Sequence, residues 1–91
     1  MSMTENKICV ITGATSGIGK ATAIRLAKLN LELVLVGRNP TKLEYTKQFI
    51  AEKTGNKSIH FFLADLSSQK DIIKVASDIK KQYAYIDILI N

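Results

Sequence analysis

A chain of 91 residues is enough for one domain, and at that length only roughly 60–65% of the unfolded surface is buried, so marginal stability is expected. Hydrophobic residues make up 46% and charged residues 23%, which excludes the disordered class, and no apolar run approaches the roughly 18 residues of a membrane span. The net charge of +5 is scattered along helical segments without interleaved aromatics, so it reads as solvated helix faces and excludes a nucleic-acid interface, while a phosphate-bearing ligand would use part of it.

Residues 1–7 contain no apolar stretch that would serve as a signal peptide. Residues 7–12 form a continuous β-branched run, the pattern of a strand buried on both faces. Cys9 lies inside it, so it reads as a small buried hydrophobe. As the single cysteine, it excludes an internal disulfide and points to a reducing compartment, hence a soluble, cytoplasmic protein. A glycine-rich break follows at 13–19, and then a helix is predicted over 18–29, with Asn30 as its left-handed stop. Residues 31–36 are a second apolar strand. Asn39 and Pro40 supply an N-cap and first-turn proline for a helix to about residue 53, with Leu43, Thr46 and Ile50 on one stripe and Gly55 ending it. A third strand spans 58–64, where Phe61 and Phe62 read as packing and His60 as structural, with no visible partner. Ser68 to Asp71 resembles a capping box opening a helix whose Ile72, Val75, Ala76, Ile79 and Tyr83 keep helical spacing, and residues 86–90 form a fourth strand. Strand–helix alternation with near-continuous apolar strands predicts an α/β fold with a doubly wound parallel sheet, partial at about four strands and three helices.

The informative segment runs from Thr12 to Gly19. It sits where a phosphate needs it, at the carboxyl end of the first strand and the start of the first helix. Gly13 permits a tight exit from the strand, Gly17 lets the backbone approach a pyrophosphate, and Gly19 lets the helix pack closely. The Gly-x-x-x-Gly-x-Gly spacing differs from the Gly-x-Gly-x-x-Gly fingerprint. About 20 residues further on, a dinucleotide fold that prefers NAD places an acid to bond the ribose 2′-hydroxyl. This chain has Gly37 and Arg38 there instead, which removes the repulsion of a 2′-phosphate and supplies a guanidinium for it, favouring NADP over NAD.

The glycine pattern, matched by Thr12, Gly13, Gly17, Ile18 and Gly19, resembles that of the short-chain dehydrogenase/reductase family. Gly37, Arg38 and Asn39 resemble the family's NADP-preferring loop. Asp65 and Leu66 resemble the dipeptide after its third strand, and the segment from Asp87 to Asn91 resembles the strand leading into its Asn-Asn-Ala-Gly motif. The resemblance implies cofactor contacts at Gly13, Ser16, Gly17, Ile18, Gly19, Arg38, Asn39, Asp65, Leu66 and Asn91. It gives Asp65 the adenine amine, Leu66 the flank of the ring and Asn91 the cofactor ribose. Ser16 either touches the adenosine-side phosphate or caps the helix, and Asp65 has bracing of its own loop as its alternative role.

The resemblance also implies hydride transfer between NADPH and a carbonyl or alcohol, with a Tyr-x-x-x-Lys pair supplying the proton. Four positions after Tyr45, Tyr83 and Tyr85 stand Phe49, Asp87 and Leu89, so no catalytic residue is assigned and no metal ligand set is visible. The chain is therefore expected to be the cofactor-binding part of a longer NADP-dependent oxidoreductase, forming the first part of one dinucleotide-binding domain and inactive alone. Its small-molecule substrate would be reached only through residues beyond it. A stand-alone nucleotide-binding or assembly module is the alternative. A flavodoxin-like or receiver-type sheet would need an acidic cluster or flavin-phosphate loop that the sequence lacks. The apolar strand at 86–90, left without a neighbour, is expected to pair with another chain, as in a homo-oligomer.

Overall fold

The computed structural model describes residues 7–83 and 85–90. Strands and helices alternate as β1 (Ile8–Thr12), α1 (Gly17–Lys28), β2 (Glu32–Gly37), α2 (Pro40–Thr54), β3 (Ile59–Leu63), α3 (Gln69–Gln82) and β4 (Ile88–Ile90). The strands pair in parallel in the order β3-β2-β1-β4, the doubly wound arrangement expected from the alternation.

Successive side chains on a strand point to opposite faces, and here that divides the core in two. Cys9 and Ile11, paired with Leu33 and Leu35, join Ile59 on the face covered by α1 and α2, where Ala23, Ala27, Leu43 and Ile50 complete the packing. Ile8, Val10, Val34 and Val36 form the opposite face with Val75 and Ile79 of α3. The alanines let α1 lie close to the sheet. Burial pushes the Cys9 thiol up to about 11, so it stays protonated and packs as an apolar group.

Local signals set the helix ends. Asn30 follows α1 with a φ of 63°, Asn39 caps α2 by accepting from the Lys42 N–H at 3.1 Å, and left-handed Gly55 donates to the Ala51 carbonyl at 2.8 Å. At α3 the Ser68 hydroxyl accepts from the Asp71 N–H at 3.3 Å, as a capping box requires. The return bond is different: Asp71 Oδ2 accepts from the Asp65 N–H at 2.8 Å, so the carboxylate ties down the preceding loop instead of the cap residue. The buried stripe of α3 is also narrower than the spacing suggests. Val75 and Ile79 are buried and Tyr83 packs beside them, whereas Ile72 and Ala76 are exposed on the flank that no described element covers.

The fourth strand begins later than the apolar run. The Ile8 N–H donates to the Asp87 carboxylate at 2.8 Å, while the Asp87 N–H donates to the Ile8 carbonyl at 3.0 Å. The side chain thus takes a ladder position, and regular pairing starts at Ile88. Ile88 and Ile90 pack against the core under α1 and α2, and Leu89 on the other face is exposed.

One loop side chain joins three elements. Buried Asn56 donates through Nδ2 to the Ala27 carbonyl at 3.1 Å and the Leu31 carbonyl at 2.7 Å, and its Oδ1 accepts from the Ser58 N–H at 2.8 Å. It satisfies the end of α1, the entry to β2 and the entry to β3 at once. Asn56→Ala would strand these groups away from water, and a loss of about 2–4 kcal/mol in urea unfolding is expected. A loss below about 0.5 kcal/mol, within the range of a neutral surface change, would contradict this assignment.

Candidate functional site

In a parallel sheet all carboxyl ends lie along one edge. The chain winds outward from β1 through β2 to β3, then crosses back to place β4 on the other side of β1. That reversal opens a crevice beyond the carboxyl end of β1, where ligands of doubly wound sheets bind. The β1–α1, β2–α2 and β3–α3 loops meet beside it.

The β1–α1 loop leaves the strand at Gly13 and enters α1 at Gly17, whose φ of 60° is strained for any residue with a side chain. A Cβ on Gly17 would have no atom within 4 Å, so its outer side is open. Gly19 has a different requirement, because a Cβ there would overlap the Gly13 carbonyl, and its absence brings the first turn of α1 directly onto the end of β1. Ser16 is the N-cap in extended conformation, yet its hydroxyl makes no cap hydrogen bond, and the first turn carries no acid. The N–H groups of that turn therefore face the crevice without a side-chain acceptor, at the positive end of the helix. Ile18 projects outward at 87% exposure.

Beyond β2, Arg38 is exposed and stands between two recesses. Gly13, Thr15, Arg38, Asn39, Lys42 and Leu43 line one of them, and Gly13, Arg38, Asp65, Leu66 and Ser67 line the other. Asn39 lines the first recess, although its carboxamide oxygen is occupied by the cap of α2. Lys42, which no motif in the sequence marks, occupies the third helical position. A cation so close to a helix N-terminus opposes the dipole by about 0.3–1 kcal/mol. Among the described residues, neither Arg38 nor Lys42 forms an ion pair.

The Asp65 carboxylate accepts from the Ser67 hydroxyl at 2.7 Å and the Ser67 N–H at 3.0 Å, both on Oδ1. These bonds hold its carboxyl below the ordinary range, and the charge of Arg38 adds to the effect. Asp65 thus braces its own loop, and Asp71 fixes the same loop through the Asp65 N–H, a contribution for which the sequence suggested another partner. Leu66 lies exposed beside it. Asn91, assigned to the cofactor ribose by the sequence pattern, lies outside the described residues. His60 is at the opposite, amino-terminal end of the sheet and does have a partner: its Nε2 is 3.5 Å from the Glu32 carboxylate.

The donor set fits an anionic nucleotide: open N–H groups at α1, two cations outside any ion pair among the described residues, and a carboxylate acceptor beside an apolar side chain. Among the described residues, no three His, Cys, Asp or Glu side chains are grouped to hold a metal ion, and no helix is long and apolar enough to cross a membrane.

Comparison with known proteins matches residues 7–91 to the family model of the short chain dehydrogenases. A 3beta-hydroxysteroid dehydrogenase of Mediterraneibacter gnavus is 35% identical over the whole chain, which covers 32% of that protein. The structure of L-sorbose reductase from Gluconobacter frateurii, complexed with NADPH and L-sorbose, superposes with a TM-score of 0.84 at 32% identity, covering 100% of this chain and 35% of that one. An NAD+-bound xylitol dehydrogenase superposes with a TM-score of 0.83 at 30% identity, over 96% of this chain and 33% of that one. The chain spans about a third of the length of the curated relatives it matches, from 26% to 38%.

The two glycines of the first turn differ in a measurable way. Gly17→Ala introduces left-handed strain of about 1–2 kcal/mol without a clash. Gly19→Ala must push α1 off the Gly13 carbonyl and is expected to cost about 3 kcal/mol. Urea midpoints in the reverse order would contradict the contact assigned to Gly19.

Proposed function

Since this chain belongs to the short-chain dehydrogenase family, we propose that it forms the NADP-binding part of an oxidoreductase that transfers hydride between NADPH and a carbonyl or alcohol substrate. Residues 1–91 are then the first part of a single dinucleotide-binding domain. The observation that carries the reading is the meeting of the Gly13–Gly19 loop with Arg38 across one recess, at a strand end where an NAD-preferring site would place an acid.

In this assignment the first-turn N–H groups of α1, with Ser16 at the cap, hold the pyrophosphate against the helix end. The guanidinium of Arg38 takes the ribose 2′-phosphate, with Asn39 at its side. Asp65 accepts from the adenine amine and Leu66 covers the ring, Ile18 borders the cofactor at the glycine loop, and the contact with the cofactor ribose is assigned to Asn91, outside the described residues. Bound there, the cofactor supplies or accepts the hydride. The proton donor is not among the three tyrosines of this chain, so turnover requires residues beyond Asn91 and the chain alone is inactive. The buried free Cys9 fits a cytoplasmic location. Relatives with NADPH and with NAD+ both have this fold, and the exposed Arg38 after β2 is what supports NADP in this reading.

Titration of the chain with NADPH and with NADH tests the reading. NADPH should bind more tightly, and Arg38→Ala should weaken it by roughly 10- to 100-fold while moving NADH less than about twofold. Equal affinities, or no binding of either, would overturn it.

A further inference from the structure

We propose that the free edge of β3 pairs with the same edge of a second copy of this chain, as an antiparallel ladder centred on Phe61. Among the described residues, β3 ends one side of the sheet. The bonds at the two ends of its pairing with β2 show which groups stay open. The Leu33 N–H donates to the Ser58 carbonyl at 2.9 Å, and the Ala64 N–H donates to the Gly37 carbonyl at 2.7 Å. In a parallel ladder alternate residues turn both backbone groups to the same neighbour, so Ser58, His60, Phe62 and Ala64 serve β2. Ile59, Phe61 and Leu63 turn theirs outward.

The strand itself carries none of the usual guards of an open edge, which are proline, a bulge, brevity or charge. It runs for five residues in unbroken register, without proline, lysine or acid, and His60 is its single ionisable side chain. Beside it Leu63 is 54% exposed. At the other edge of the sheet β4 has only three residues.

The spacing of the open groups makes this edge complementary to itself. With two copies of Phe61 opposite each other, Ile59 of one copy faces Leu63 of the other. Every outward N–H and C=O of these residues then finds a partner. His60 falls opposite Phe62, an aromatic pair on each side of the dyad. The charges agree as well. Glu44 and Lys47 lie one turn apart on α2 and line the same recess with Phe61. Lys47 stands 6.0 Å from the centre of the Phe61 ring, and neither residue is in an ion pair among the described residues. The two-fold axis runs α2 antiparallel to its copy and sets Glu44 of each chain towards Lys47 of the other. An unrelated strand could satisfy the backbone but would lack both the side-chain register and the charge match, so the edge fits a second copy.

Sedimentation velocity of the chain over a range of concentrations tests the pairing. A contact this small, between chains of net charge +5, should be weak, with a dissociation constant of roughly 10–100 µM. Glu44→Lys and Lys47→Glu should each weaken it roughly tenfold, and the double charge swap should restore it to within about threefold. Leu63→Pro removes an outward donor that the β2 ladder does not use, and should weaken association by at least about tenfold. The mass of a single chain up to about 1 mM would overturn the inference. A dimer indifferent to Leu63→Pro, or a double swap that stays as weak as the single reversals, would overturn it too.

Discussion

Helix α1 starts directly against the carbonyl of Gly13, and only a residue without a Cβ at position 19 permits the contact. The position of the crevice follows from it. Once the first turn of α1 rests on the end of β1, its unpaired N–H groups point over the edge of the sheet where the strand order reverses. The remaining loops arrive at the same edge because every strand runs in the same direction. Parallel pairing is what brings Arg38 and Asp65, 27 positions apart in the chain, to the two sides of one recess.

Charge is distributed unevenly along this edge. Two helices begin there without a first-turn acid, and Arg38 and Lys42 add cations where a structural optimum would place carboxylates. At α3 the first-turn acid is present, but Asp71 is turned to the Asp65 N–H and stabilises the loop. The edge is thus poised for an anion and is stabilised at a distance, by Asn56 and by the two apolar cores. Sites that bind ligands tightly often carry such local conflict, supported by the packing around them.

The fold was legible because its signals are local. Apolar β-branched runs gave the strands, and Asn30, Asn39 and Gly55 marked helix ends through the conformations they tolerate. The glycine loop was legible for the same reason, since spacing and flanking elements together identify it. The features that escaped depend on residues far apart in sequence. Asn56 bonds carbonyls 25 and 29 positions away, His60 pairs with Glu32 across adjacent strands, and Asp87 replaces a ladder bond 79 positions away. Lys42 is a different case, because a lysine in an exposed helix looks the same in sequence whether it faces solvent or a recess. The exposed Ile72 and Ala76 show the converse, a helical period that is real but wider than the surface available to bury it.

The central claim is that the nucleotide lies along the carboxyl edge with its phosphates at the start of α1. Amide chemical-shift mapping of the isotopically labelled chain on titration with NADPH tests it most directly. The account predicts the largest changes at residues 13–20, with further changes at 37–42 and 65–67, and none around Glu32, Asn56 or His60. Changes centred on the Glu32–His60 end of the sheet, or on the outer face of α3, would contradict it.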